Sequence, residues 1–414
     1  MALYNIFAVI TVLAALFGYI NYRFLKLPGT IGIMIISLLS SLLVVVLGEL
    51  KPVLFAEITG LVKSIDFSTI LMKIMLSFLL FAGAIQLDGE SMKKQRTPIL
   101  IFSTISTLIS TFLIGVLVFG LCLLLKFPIP FLYCLLFGAL ISPTDPIAVL
   151  SILRRAHIPT SLETKINGES LFNDGIAVVI FITIYEVIAS GSKNIDAGHV
   201  LWLFLREGGG GVLLGVLLGY AGFLFIKSID HYQVEVMITL AIVTGGYLLA
   251  DGLGVSGPLA MVVAGLITGN KSRAEVMSHT TREYIDKFWE MLDEFLNAIL
   301  FLLIGFEMLV LPFNKIYLVL GLMSIPIALL ARYLSVLIPI SILKHTTVFE
   351  KNAIAILTWG GLRGGISVAL ALSIPRQMHG PLLIFITYVI VLFSIIVQGL
   401  TIGKVARRLS GPSR

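Results

Sequence analysis

The chain has 414 residues, 58% of them hydrophobic and 13% charged, with a net charge of +6. Soluble domains carry about 25% charged residues, so this composition cannot clothe a water-facing surface, and lipid is the natural solvent. The basic residues fall between apolar runs rather than in one patch, which speaks for membrane topology and against nucleic acid as a partner.

A spanning helix needs about 20 apolar residues, and thirteen candidates follow one another at roughly 4–22, 29–48, 68–87, 98–125, 129–152, 166–189, 201–226, 233–250, 255–269, 287–310, 315–342, 351–373 and 381–403. The first opens on Met1-Ala2-Leu3-Tyr4 without the basic start of a signal peptide, so it is expected to stay as a helix. With the N-terminus outside, about nineteen basic residues fall on the cytoplasmic side, Arg23, Lys26, Lys165 and Lys351 among them. About seven fall on the other: Lys51, Lys63, Lys126, Lys193, Arg206, Lys315 and Arg376. This bias predicts an outside N-terminus, a cytoplasmic C-terminus and an odd number of spans in the cell's inner membrane. The two cysteines, Cys122 and Cys134, are too few for a disulfide framework or a metal cluster, and the histidines show no ligand spacing. No cofactor is expected.

Span 2 opens on Leu27-Pro28-Gly29-Thr30-Ile31-Gly32, and span 5 is interrupted by Ser142-Pro143-Thr144-Asp145-Pro146. Span 6 carries Gly168-Glu169-Ser170-Leu171-Phe172-Asn173-Asp174-Gly175 near its predicted start. Glu169 and Asn173 are four apart and share a helical face, while Ser170 and Asp174 share the neighbouring one. Asp174, Ser170 and carbonyls freed around Thr144 make an oxygen cage of the kind that hard cations prefer. Solvated acids at an interfacial helix end are the bland alternative. The run Gly208 to Gly211 in span 7 reads as a close-packing surface, because no lysine follows it in phosphate-binding spacing.

Span 9 opens on Val255-Ser256-Gly257-Pro258-Leu259, and span 12 is interrupted by Thr358-Trp359-Gly360-Gly361-Leu362-Arg363-Gly364-Gly365. Features at positions 2 and 5 thus recur at 9 and 12. That odd offset predicts two inverted six-helix repeats, with span 7 as connector and the broken helices near the bilayer midplane. Arg363, alone in span 12, needs a carboxylate. Glu169 is the first choice, with Asn173 sharing hydrogen bonds, and Asp145 the second. Asp145 alternatively faces a half-helix N-terminus. Glu307 and Arg332, in spans 10 and 11, are expected to pair structurally. Asp293 and Glu294 are expected to line an entrance funnel, Lys73 to snorkel and Asp251 to cap a loop.

The proline-broken stretch 142–146, the Glu169–Gly175 stretch, Phe301-Leu302-Leu303-Ile304-Gly305-Phe306-Glu307 and Gly360-Gly361-Leu362-Arg363-Gly364 together resemble the NhaP-type sodium/proton antiporters, relatives of the animal sodium/proton exchangers. The resemblance covers nearly the whole chain in motif order. It implies an all-α integral membrane protein of about thirteen helices, a homodimer, and an elevator-like core (approximately 98–189 and 315–403) moving against a dimerisation scaffold (approximately 1–87 and 201–310). It implies Asp174 as the ion- and proton-binding carboxylate, and Ser170 and Thr144 as ligands to a monovalent cation. Glu169 stands beside them, and Asn173 and Arg363 complete the supporting network, with Asp145 as a helix-crossing stabiliser. Electrogenic relatives carry two adjacent acids where this chain has Asn173-Asp174, so the resemblance implies one Na⁺ or Li⁺ for one proton. A K⁺/H⁺ antiporter, a Na⁺-coupled symporter, a channel and an intramembrane hydrolase are the rivals. The hydrolase needs a nucleophile–base or metal constellation; Asp145 and Asp174 could mimic a two-aspartate protease, but Arg363 and the ligand-like Ser170 fit ion binding better.

Overall fold

A computed structural model describes residues 3–51, 55, 59–60, 62, 67–145, 147–156, 158–191, 197–275, 277–311, 313–345, 347, 349–350 and 352–410. Met1, Ala2, Lys63, Pro146, Lys193 and Lys351 lie outside them. Every regular element among the described residues is helical. In chain order those of eight or more residues are α1 (Leu3–Ile20) with a π-helical extension, α2 (Gly29–Leu50), α3 (Ile70–Ile85), α4 (Arg96–Leu124), α5 (Phe131–Ile141), α6 (Ile147–Arg155) and α7 (Thr160–Ala189). Then follow α8 (Ala197–Lys227), α9 (Tyr232–Leu253), α10 (Gly257–Glu275), α11 (His279–Glu307), α12 (Lys315–Leu343), α13 (Ala353–Gly360), α14 (Gly365–Leu372) and α15 (Gly380–Leu409). Among the described residues eight helices are each long and apolar enough to cross a membrane, and α13 with α14 forms one further span, bent by 45°. The shorter α3 and α5, and α10 and α11 with their polar ends, fill the remaining expected places, so the arrangement is compatible with thirteen segments.

Apolar side chains cover much of the outer surface: Phe7, Val12, Leu39, Phe112, Leu213, Leu217 and Leu248 are all exposed. That is the inverse of a soluble surface and fits lipid on all sides. The polar residues are drawn inward instead. The α8–α10 seam shows how closely the helices approach. A Cβ on Gly215 would come within 2.6 Å of the Ala260 carbonyl oxygen, so only glycine permits this contact, as expected for a packing surface.

Several expectations shift. α7 begins at Thr160, six residues before the predicted start, so Asp174 sits at mid-helix and is buried rather than at a solvated end. Arg206, counted above on the outer side, lies on a π-helical turn of α8 and donates to the Leu253 carbonyl at 3.1 Å. Asp251 does not cap a loop, and Lys73 does more than snorkel: the two form an ion pair at 3.2 Å, both half exposed.

Lys165, counted above as a loop cation, is buried on α7, with its Nζ 3.0 Å from Glu350 and 5.0 Å from the Phe349 ring centre. Ser161 also donates to Glu350. This latch ties the start of α7 to the loop entering α13. Partial burial pushes the Glu350 carboxyl up, but the hydrogen bonds from Ser161 and Lys165 outweigh it and hold it below its usual 4.5. A depressed carboxylate stabilises the fold above its unfolded value and loses that contribution as the pH falls through the lower folded value. Glu350→Gln is therefore expected to lower the melting temperature at pH 7, and the gap to the parent should close as the pH falls through the lowered folded value. A gap independent of pH would show that the latch is not ionic.

Candidate ion-binding site

The two broken spans meet at the site. Helix α5 stops at Ile141 and α6 starts at Ile147, while α13 stops at Gly360 and α14 starts at Gly365. Proline removes a backbone donor and crowds the preceding turn, and glycine weakens a helix interior, so both interruptions are written locally. What joins them is tertiary: the Asp145 N–H donates to the Leu362 carbonyl at 2.8 Å. Gly364 leaves room for the Asp145 side chain, which a Cβ there would overlap. Asp145 thus occupies the crossing of the two breaks, beside the N-terminus of α14, where a carboxylate is favoured.

The second break is braced from α15. The Arg363 N–H donates to Ser394 Oγ at 2.9 Å, Ser394 donates to Gln398 Oε1 at 2.8 Å, and Gln398 Nε2 donates to the Trp359 carbonyl at 3.0 Å. Ser394–Gln398 is a π-helical turn, a geometry that recurs at functional sites. Unwound backbone at membrane depth must find partners within the protein, and these two side chains supply them.

Arg363 is not the partner of Glu169. Its guanidinium donates to the Pro143 carbonyl at 3.2 Å and to the Gly361 carbonyl at 3.4 Å, so it clamps one break onto the other. Glu169 is paired instead with Arg332 of α12, Nη1 to Oε1 at 2.5 Å, and both are buried. Arg332 Nε donates to the Leu357 carbonyl at 3.3 Å, and its guanidinium lies over Gly361. The expected Glu307–Arg332 pair is therefore also replaced. Sequence spacing could not decide this, because all four residues lie on different spans and the helix order around the core selects the partner.

Asn173, Thr144 and Ser170 do come together, and all three are buried. Asn173 Nδ2 donates to Thr144 Oγ1 at 3.0 Å, its Oδ1 accepts from the Thr144 N–H at 3.4 Å, and Thr144 Oγ1 lies 3.1 Å from Ser170 Oγ. Asp174, one turn beyond Ser170 on the same face of α7, opens onto a cavity of about 350 Å³. Asp145, Pro143, Asp293 and Glu294 share its wall, as do Glu290 and Asn297 of α11 and Ser367 of α14. The funnel expected of Asp293 and Glu294 is thus present. Asn297 and Ser367 were missed in the sequence. The spacing 290–293–294–297 along one helical face was the available signal for Asn297, and for Ser367 there was none. Among the described residues no group of three or more His, Cys, Asp or Glu is placed to hold a metal ion.

Buried carboxylates beside crossed broken helices, on a cavity that also carries further acids, define an ion-coupled secondary transporter. The sequence profile of the transmembrane sodium/hydrogen exchangers matches residues 11–408. The chain is 47% identical to the Na(+)/H(+) antiporter NhaP of Pseudomonas aeruginosa over 98% of this chain and 96% of that protein. It is 32% identical to the Na(+)/H(+) antiporter NhaH of Halobacillus aidingensis over 94% and 93%. In fold it matches the sodium proton antiporter MjNhaP1 of Methanocaldococcus jannaschii, with a TM-score of 0.74 over 97% of this chain and all of that one at 21% identity. The chain belongs to the sodium/hydrogen exchanger family and is a multi-pass membrane antiporter of the NhaP type.

Removing one partner of a buried ion pair strands the other charge at a cost of about 3–5 kcal/mol. Arg332→Leu is therefore expected to melt well below the parent, and adding Glu169→Leu should recover much of the loss. Arg363→Ala, which strands no carboxylate, should cost less than Arg332→Leu. Equal melting of the two single variants would contradict these pairings.

Proposed function

We propose that the chain exchanges one Na⁺ or Li⁺ for one proton, without net charge movement, at Asp174. The observation that carries this reading is the placement of Asp174: at the middle of a 30-residue helix, buried, and on the wall of a cavity that it shares with Asp145, Asp293 and Glu294. An uncompensated anion there is costly. Either a proton or a cation neutralises it, and each excludes the other. The neutralised site crosses the low-dielectric barrier, whereas the empty anionic site does not, so influx of one ion is tied to efflux of the other.

The surrounding residues support a one-to-one count. Glu169 is held by Arg332, and the Asn173 amide is engaged on both ends with Thr144. Asn173 has no proton to exchange, so the Asn173-Asp174 pair supplies a single titrating charge. Thr144 and Ser170, linked to each other beside Asp174, are the neutral oxygen ligands in this reading. Glu169, Asn173, Arg363 and Asp145 hold the framework.

We take the cavity to open on the side of Arg154, Asn167 and Glu290, which line it. That end carries the excess of basic residues and is taken as cytoplasmic, with the N-terminus outside. The conformation is then inward-facing. Residues 98–189 and 315–403 form the moving core, which Arg332–Glu169, Lys165–Glu350 and the 145–362 backbone bond fasten into one body. The first three and the seventh to tenth spans belong to the scaffold and dimer interface, and the elevator-like motion carries Asp174 past them.

Acid-loaded proteoliposomes test the proposal, with Na⁺, Li⁺ or K⁺ added in turn and the membrane potential clamped or free. Na⁺- or Li⁺-driven alkalinisation that ignores the potential, and that is abolished by Asp174→Asn while the protein stays folded, is the expected result. Antiport retained by Asp174→Asn would remove this residue from the mechanism. A response to K⁺ alone would make the protein a K⁺/H⁺ antiporter.

A further inference from the structure

We propose that Asn297 and Ser367 form a second cation station on the wall of the Asp174 cavity, where a partly hydrated alkali cation exchanges water for protein oxygens before reaching the carboxylate. The inference rests on the antiport reading and extends its site to α11 and α14.

The first observation is satisfaction. Buried polar atoms in native proteins nearly always have a hydrogen-bond partner, and an exception calls for an explanation. Among the described residues Asn297 Oδ1 and Ser367 Oγ have none, although both residues are 99% buried. Each such atom costs stability, and functional sites are where that cost is commonly retained.

The second observation is orientation. Asn297 Nδ2 donates to the Asp293 carbonyl at 2.9 Å. A carbonyl cannot donate, so the amide cannot be turned over without losing that bond, and Oδ1 is left as a free acceptor. Both residues line the cavity that holds Asp174, Asp145 and Asp293.

The third is position. The two residues stand on helices that touch, for Leu300, one turn beyond Asn297, packs against Gly365, two residues before Ser367. Glu290, Asp293 and Glu294 line the same cavity, as does Arg154, which is paired to Glu163. A cation drawn in by these acids meets Asn297 and Ser367 as neutral oxygens on the wall it shares with Asp174. Amide and hydroxyl oxygens suit a hard monovalent ion and bind it less tightly than carboxylates, as a transit point requires.

Ser367→Ala and Asn297→Leu separate this role from a structural one. Removing an oxygen that bonds nothing in the protein should leave the melting temperature unchanged or raise it. Removing a cation ligand should raise the apparent KM for Na⁺ about tenfold, the equivalent of roughly 1.4 kcal/mol. The wild-type chain and both variants are compared in proteoliposomes for Na⁺, Li⁺ and K⁺, and in detergent for melting. A raised KM with undiminished melting in Ser367→Ala supports the station. A KM within twofold of the parent in both variants overturns it, as does a lower melting temperature in Ser367→Ala, which would make the hydroxyl structural. If the wild-type chain itself shows no cation-driven proton flux, the antiport reading fails instead.

Discussion

Everything at the centre of this protein follows from the rule that backbone groups at membrane depth need partners inside the protein. Two spans are broken there, and each break frees carbonyls and N–H groups. The hydrogen bond from Asp145 N to the Leu362 carbonyl joins the breaks to each other, and Arg363 crosses between them to the Pro143 carbonyl. Ser394 and Gln398 satisfy two more of these groups from α15. Without these partners the interruptions would be faults in the fold. With them, they become a rigid crossing against which an ion site can be built.

The ion pairs obey the same economy. Lys165 and Glu169 are one turn apart on α7, and each is matched by a charge from the second half of the chain, Glu350 and Arg332. These pairs remove from the field the charges that would otherwise compete for a cation or a proton. Asp174, on the neighbouring face, is left on the cavity wall with its carboxylate available. The division of labour between paired and cavity-facing acids on one helix is what makes a single-proton, single-cation site physically reasonable.

Much of this was legible in the residues. The proline pair around Thr144 and the glycines around Arg363 mark the breaks by covalent chemistry alone, and both occur where expected. The Glu169–Asp174 stretch marked the site. Pairing was not legible. Arg363 was matched to Glu169 because a lone cation in a broken span needs a carboxylate, and Arg332 was matched to Glu307 because their spans are consecutive. Both choices weighed sequence order, whereas an ion pair is decided by which helix faces which. The depth of Asp174 was misjudged for a local reason. The first turn of α7, Thr160 to Lys165, is polar and was read as loop, although burial of Lys165 against Glu350 and Phe349 lets it remain helical.

The amino-acid sequence by itself determined the solvent, the rough limits of the apolar spans, the positions of the breaks and the acid-bearing stretch 169–174 between them. These depend on hydropathy, on proline and glycine, and on the rarity of charge in lipid, all of which are properties of short stretches. Only the tertiary structure decided that Arg332 neutralises Glu169, that Arg363 holds backbone, and that α15 braces the second break. It alone placed Asn297 and Ser367 on the wall beside Asp174. Those relations join residues more than a hundred positions apart, or side chains on facing helices, and no local propensity carries information across that distance.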